Sequence, residues 1–302
     1  MSRIHDALKK AELGRDENFE PAAAVGGQVA TETALRPDPL ISGTVATDAS
    51  FEPLTLETVR QHCPVSPWHP DPKVVLFSAA KDHAPGTEEF RTLRSRLYQI
   101  RENQPLQTVL VASALPAEGK TFVALNLAQA IAQQKGRSVL VIDGDLRISR
   151  MHEALGASQT PGLCDYLNGE ADFLSILQRG PLDNLFFIAG GKPQGNPVEM
   201  LSTGLLRSLL NRLIPIFDWI IIDSPPSIPL SDASLLAKVA DGVLVVVLSG
   251  STPYDMAQKL RQNLADKNVV GVVLNRVPEG LVYSSYYYAY GKPESQNGNS
   301  KK

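Results

Sequence analysis

Residues 108–130 read TVLVASALPAEGKTFVALNLAQA. The run Thr108–Ala112 leads straight into the loop Ser113-Ala-Leu-Pro-Ala-Glu-Gly-Lys-Thr121, and an Ala/Leu-rich stretch follows. A continuous apolar run is what a parallel strand buried on both faces requires. Thr121–Gln134 reads as a helix. A strand, a loop closing on Gly-Lys-Thr and a helix form the setting in which backbone N–H groups wrap phosphates and a helix N-terminus faces their charge. Lys120 is then placed to reach the β- and γ-phosphates and the Thr121 hydroxyl to take one position on Mg²⁺. Gly119 lets the backbone approach closely. The pattern G-x-x-x-x-G-K-[ST] is broken at its first glycine, where this chain has Ala114.

Two other segments end apolar runs with acids. Val139-Leu-Val-Ile-Asp-Gly-Asp-Leu-Arg147 carries Asp143 and Asp145, and Asp218-Trp-Ile-Ile-Ile-Asp-Ser-Pro-Pro226 carries Asp223. The carboxyl ends of parallel strands are where such sheets bind ligands. By strand alternation Asp143 and Asp145 share one face, where two carboxylates repel unless a cation or donor lies between them.

From Lys73 onward the pattern is regular. Val74–Phe77, Thr108–Ala112, Ser138–Ile142, Trp219–Ile222, Gly242–Leu248 and Val269–Leu274 read as strands, and Asn184–Ile188 as a further one. Gly86–Arg101, Leu205–Leu213 and Ser231–Val239 read as helices between them. This alternation predicts an α/β fold, a P-loop NTPase with a mostly parallel central sheet and helices on both faces. Residues 1–14 form an amphipathic N-terminal helix, with Ile4, Ala7, Leu8 and Ala11 on one side. It reads equally as a frayed terminus or as a docking helix for a partner. Residues 15–71 are rich in Ala, Pro and Thr and read as a flexible linker. The P-loop domain spans 72–282, and 283–302 form a Tyr-rich, disordered tail.

The net charge of −3 gives no footprint for nucleic acid. Cys63 and Cys164 form no C-x-x-C pair, which fits a reducing compartment. His62, Cys63 and His69 are too few, in too Pro-rich a segment, for a metal site. No apolar run nears the ~20 residues that span a bilayer, and the N-terminus lacks a signal-peptide core. The expected location is the cytoplasm, with recruitment to the inner face of the plasma membrane through a partner.

As a set, these segments resemble the bacterial tyrosine kinases of the polysaccharide co-polymerase type, over roughly residues 73–290. Ser113–Thr121 is similar to that family's Walker A, Asp143-Gly-Asp-Leu-Arg147 to its Walker A′, and Ile220–Pro226 to its Walker B. The resemblance implies an ATP- and Mg²⁺-dependent protein-tyrosine autokinase that regulates exopolysaccharide or capsule synthesis. It implies that Ser113, Pro116, Ala117, Glu118, Gly119, Lys120, Thr121 and Phe122 hold the nucleotide, with Asn275 against adenine. Thr121, Asp145 and Asp223 would hold Mg²⁺. Asp143 would be the base that accepts the tyrosine proton, and Arg147 would stabilise phosphate charge. No N-K-x-D guanine motif is present, so ATP is favoured over GTP.

Glu88, Arg91 and Arg94 match the family's E-x-x-R-x-x-R motif, which implies contacts in a ring of identical subunits. Without the other motifs they read as i,i+3 pairs on a solvated helix face. Of the chain's 8 tyrosines, five lie at Tyr283, Tyr286, Tyr287, Tyr288 and Tyr290. No other large apolar residue follows Val282, so this cluster suits a chain end that enters a neighbour's site to be phosphorylated. A separate membrane polysaccharide co-polymerase that activates the kinase, and a tyrosine phosphatase, are the implied partners. Two rivals stand beside this reading. Division-site and partitioning ATPases of the same fold carry a second lysine early in the loop, where this chain has Leu115. An ATP-binding assembly regulator without kinase activity would keep every motif.

Overall fold

The computed structural model describes residues 54–63, 65–77, 86–228 and 230–278. All fall in the unit Glu52–Lys302, one of two into which the chain divides. The expected N-terminal helix, most of the linker and the tyrosine cluster lie outside the described residues.

Seven strands make one sheet: β1 (Thr108–Ser113), β2 (Val139–Asp143), β3 (Leu177–Arg179), β4 (Leu185–Ile188), β5 (Trp219–Asp223), β6 (Gly242–Leu248) and β7 (Val269–Asn275). Their order is β3-β4-β2-β5-β1-β6-β7, parallel except for β3 against β4. Every residue of β1, β2, β4 and β5 is buried, because helices cover both faces. On one face Val109, Val111, Val141, Trp219 and Ile221 pack under α2 (Thr87–Asn103) and α3 (Lys120–Ala132). Leu110, Leu140, Ile142, Ile220 and Ile222 point the other way, to the cluster containing Leu206, Leu209 and Leu213. Those leucines belong to Leu205–Leu213, the seventh helix (α7) among the described residues; α8 (Asp232–Ala237) and α9 (Tyr254–Asn263) follow it. The expected α/β architecture is the one observed.

Three local expectations change. The linker reading extended to residue 71, yet Leu56–His62 form a helix (α1), capped by Thr55 Oγ1, which accepts from the Thr58 N–H at 3.2 Å. Val59 and Cys63 are buried, and Trp68 stands edge-on to Phe187. A composition average missed them because the Pro and polar residues between them outnumber the few that pack. Val74–Phe77 is apolar but is not a strand. The Asn126 side chain accepts from the Leu76 N–H at 2.8 Å and donates to the Val74 carbonyl at 2.8 Å, taking the bonds a ladder would use. Finally β7 is an edge strand, with Val272 and Leu274 exposed, although its run reads as buried on both faces. The short β3 gave too few residues for a pattern.

Candidate active site

Register decides where the key side chains go. β2 pairs with β5 so that Asp143 stands opposite Asp223. Alternation puts both on the α3 side, continuing from Val141 and Ile221, and Ser113 likewise continues from Val111. Three strand ends thus aim at the start of α3, where Lys120 and Thr121 lie.

The loop before α3 is braced by its own residues. Ser113 Oγ donates to the Leu115 carbonyl at 2.9 Å, and the Leu115 N–H donates to Glu118 Oε2 at 2.7 Å. Glu118 is buried, and the Thr252 hydroxyl donates to its other oxygen. Asn275 Nδ2 donates to the Glu118 carbonyl at 2.8 Å. Ala117 and Gly119 are left-handed, with φ of 61° and 96°. A Cβ on Gly119 would collide with the Asn275 amide. Such a loop turns successive N–H groups inward, as anion nests do. The N-cap of α3 is Gly119, which has no side chain to bond the first N–H groups, and these suit an anion. Ala114 explains its departure from the pattern: it is not among the left-handed residues, so no glycine is required there. Its side chain is buried and its carbonyl accepts from the Ile228 N–H at 3.1 Å.

Lys120 Nζ donates to Ser113 Oγ at 3.0 Å. Burial lowers its pKa, and the charges of Asp223, Asp145 and Glu118 pull it back up. Thr121 Oγ1 donates to Asp223 Oδ2 at 2.5 Å, while Asp223 Oδ1 is buried without a partner. Burial lifts the Asp223 carboxyl to about 6, against the Thr121 hydrogen bond and the Lys120 charge. Burial, and then the Asp223 charge, lifts Asp143 to about 7. Asp143 Oδ2 accepts from Ser149 Oγ at 2.8 Å and from the Met151 N–H at 3.2 Å.

Asp143 Oδ1 accepts from the Asp145 N–H at 3.1 Å. That bond turns the chain as β2 ends, so strand alternation does not extend to Asp145, whose charge nevertheless acts on Asp143, Asp223 and Lys120. Gly144 is obligatory in this turn, because a Cβ there would lie 2.5 Å from the Asp223 carbonyl. Asp145 instead accepts from the Arg147 and Ile148 N–H groups. Arg147 donates through Nε and Nη2 to Asp232, at 2.7 and 3.0 Å. Asp232 is fully buried at the start of α8, and sequence reading did not find it. Ser149 and Thr252 were missed as well; as isolated hydroxyl residues they carry no spacing signal.

Two further expected residues make contacts within the protein. The Phe122 ring packs edge-on against Phe90 of α2, with centroids 5.7 Å apart. Asn275 braces the loop through its side chain, as above. Glu88 and Arg91 form an exposed ion pair, but Arg94 Nη1 donates to the Ala130 carbonyl of α3 at 2.5 Å. The three residues therefore do not share one solvated helix face. Steps of three on a 3.6-residue helix slip backward by about 60° each, so the row winds from solvent into the α2–α3 contact. Pro116 and Ala117 are exposed at the tip of the loop.

The model of the CobQ/CobB/MinD/ParA nucleotide binding domain matches residues 109–290. Among curated proteins, the chain is 32% identical over 211 residues to the tyrosine-protein kinase YwqD of Bacillus subtilis, covering 69% of this chain and 88% of that one. It is 32% identical to the putative tyrosine-protein kinase EpsB of Ralstonia nicotianae, covering 68% of this chain but spanning only 27% of that longer protein. Among solved structures, the kinase domain of the Escherichia coli tyrosine kinase ETK superposes with a TM-score of 0.62 at 28% identity, covering 66% of this chain and 80% of that one.

Proposed function

We propose, for a protein-tyrosine kinase that belongs to the CobQ/CobB/MinD/ParA nucleotide-binding family and within it to the bacterial tyrosine-protein kinases, that it transfers the γ-phosphoryl group of ATP to the C-terminal tyrosines of a neighbouring copy. The observation that carries the mechanism is the meeting of Asp143 and Asp223 with Lys120 and Thr121 at the start of α3. Loop amides and the α3 N-terminus hold the phosphates, and Lys120 leaves Ser113 to reach the β- and γ-phosphates. The incoming hydroxyl oxygen bonds to the γ-phosphorus, its proton passes to Asp143, and the bond to the β-phosphate oxygen breaks to release ADP. Burial raises the Asp143 carboxyl above an ordinary carboxylic acid and so makes its ionised form a stronger base. Arg147 meets the charge spread over the transferring oxygens.

Among the described residues no group of three or more His, Cys, Asp or Glu is arranged to cage a metal. Mg²⁺ is commonly held by one or two carboxylates together with substrate phosphates and water. The orphaned Asp223 oxygen beside the Thr121 hydroxyl fits such an ion, with Asp145 contributing. When bound, Mg²⁺ would neutralise phosphate charge.

The acceptors in this reading are Tyr283, Tyr286, Tyr287, Tyr288 and Tyr290, brought in by a ring of identical subunits that uses Glu88 and Arg91. A membrane polysaccharide co-polymerase would recruit and activate the kinase at the inner membrane face, a tyrosine phosphatase would reset it, and the output would be control of exopolysaccharide or capsule synthesis. No helix among the described residues is long and apolar enough to cross a membrane. Incubation with labelled ATP and Mg²⁺, followed by phosphotyrosine detection, tests the proposal. Label on tyrosine supports it. ATP binding without any phosphotyrosine returns the chain to an assembly regulator.

A further inference from the structure

Arg147 and Asp232 are 85 residues apart in the chain and meet in a bidentate pair, Nε to Oδ2 at 2.7 Å and Nη2 to Oδ1 at 3.0 Å. Asp232 is 0% exposed, whereas about a third of the Arg147 side chain is open to solvent. A carboxylate is not buried this completely unless its partner is fixed, since an unpaired buried charge is costly. The pair therefore defines where the guanidinium sits and how it is turned. With Nε and Nη2 committed, Nη1 keeps both of its N–H groups, which bond nothing among the described residues. A planar fork held along one edge presents the other edge in a set direction, as bidentate recognition of an oxyanion requires.

The two partners sit on the two acid-bearing segments of the site. Arg147 lies beyond Asp143 and Asp145, and its own N–H donates to Asp145 Oδ1 at 3.2 Å. Asp232 opens α8, on the segment that leaves β5 at Asp223. Side chain to side chain, the pair ties the end of β2 to the element that follows β5.

We infer that Asp232 is a positioning residue for phosphoryl transfer: it fixes the Arg147 guanidinium so that its free edge meets the transferring phosphoryl group. The inference rests on the kinase reading above. Asp232 acts only through Arg147, so its loss lowers turnover while nucleotide affinity, set by the loop and α3, stays nearly constant.

The experiment is a double-mutant cycle on the full chain with ATP and Mg²⁺, following phosphotyrosine formation and nucleotide affinity separately. D232N keeps shape and one acceptor but removes the charge. A loss of turnover on the order of tenfold or more, with affinity changed less than about threefold, is the expected result. R147A should lower turnover as well, and D232N placed on R147A should lower it no further. Additive losses in the double variant would overturn the inference, as would full turnover in D232N. R147K keeps the charge but cannot bond along two edges, so it should resemble D232N; wild-type turnover in R147K would also overturn it. Thermal melts of each variant separate misfolding from mispositioning, and R147K serves if D232N does not fold. Absence of phosphotyrosine from the wild type would defeat the kinase reading itself, a result distinct from all of these.

Discussion

Asp143 and Asp223 end neighbouring parallel strands in register, side by side, both buried, and each holding its proton to a pH well above that of an ordinary carboxylic acid. Two carboxylates in that position stay ionised together only when positive charge lies close to them. Lys120 and the α3 N-terminus bring positive charge to this place.

Lys120→Met should abolish autophosphorylation, because the γ-phosphoryl loses its main protein cation. Nucleotide binding should weaken but remain measurable, since loop amides still hold the phosphates. Labelling with radioactive ATP reads the first and fluorescent-nucleotide titration the second. Full labelling in the variant would remove the phosphate-loop assignment.

The raised Asp143 pKa fixes the sign of a pH effect in protein free of nucleotide and Mg²⁺. Its folded pKa is about 7 against an ordinary 3.8, so between those values the native state holds a proton that the unfolded chain has lost. Its contribution to stability therefore falls as pH rises toward 7 and levels off above it. Asp143→Asn carries no such penalty. Relative to wild type, the variant should gain on the order of 3 kcal/mol between pH 5 and pH 8, read by denaturant unfolding. A difference that is flat with pH would mean Asp143 is ionised throughout.

Arg94 is tied inside its own subunit through the Ala130 carbonyl. Arg94→Ala should cost about 1.5–3 kcal/mol of stability, the worth of a hydrogen bond from a charged donor. Glu88→Ala, which breaks an exposed pair, should cost no more than about 1 kcal/mol. Chemical denaturation measures both, and light scattering on the same samples reports the assembly. Equal stability losses would show that Arg94 does not secure α2 on α3.

Ala114→Gly restores the usual loop pattern but should not help. The position does not use left-handed φ, so glycine adds unfolded-state entropy, costing about 0.4–1 kcal/mol, and also removes a buried methyl group. Nucleotide affinity should stay within twofold, roughly what so small a backbone change permits. A large gain in affinity would show that the methyl group obstructs the phosphates.

Replacing Tyr283, Tyr286, Tyr287, Tyr288 and Tyr290 by Phe should remove most phosphotyrosine while ATP still binds. Among the described tyrosines, Tyr254 is 82% exposed and is the natural competitor, whereas the Tyr98 hydroxyl is buried. Mass spectrometry that placed the phosphate mainly on Tyr254 would redirect the search for the acceptor.

The sequence by itself determined the strand–loop–helix that cradles phosphate, the acids at the ends of β2 and β5, and the layered α/β fold. Those features are local: an apolar run, a glycine where the backbone must turn left-handed, and a charge where the run stops are all written within ten or so neighbouring residues. Tertiary structure alone decided that Asp143 faces Asp223, that Glu118 bonds Thr252 across 134 positions, that Arg147 is held by Asp232, and that Arg94 turns inward. Asp232 in a helix start looks in sequence like any favourable first-turn acid, and Thr252 like any loop threonine. Their roles come from strand order and helix packing, which bring distant segments within hydrogen-bonding range. That proximity is set by how the whole core buries its apolar faces, and no short window of the chain records it.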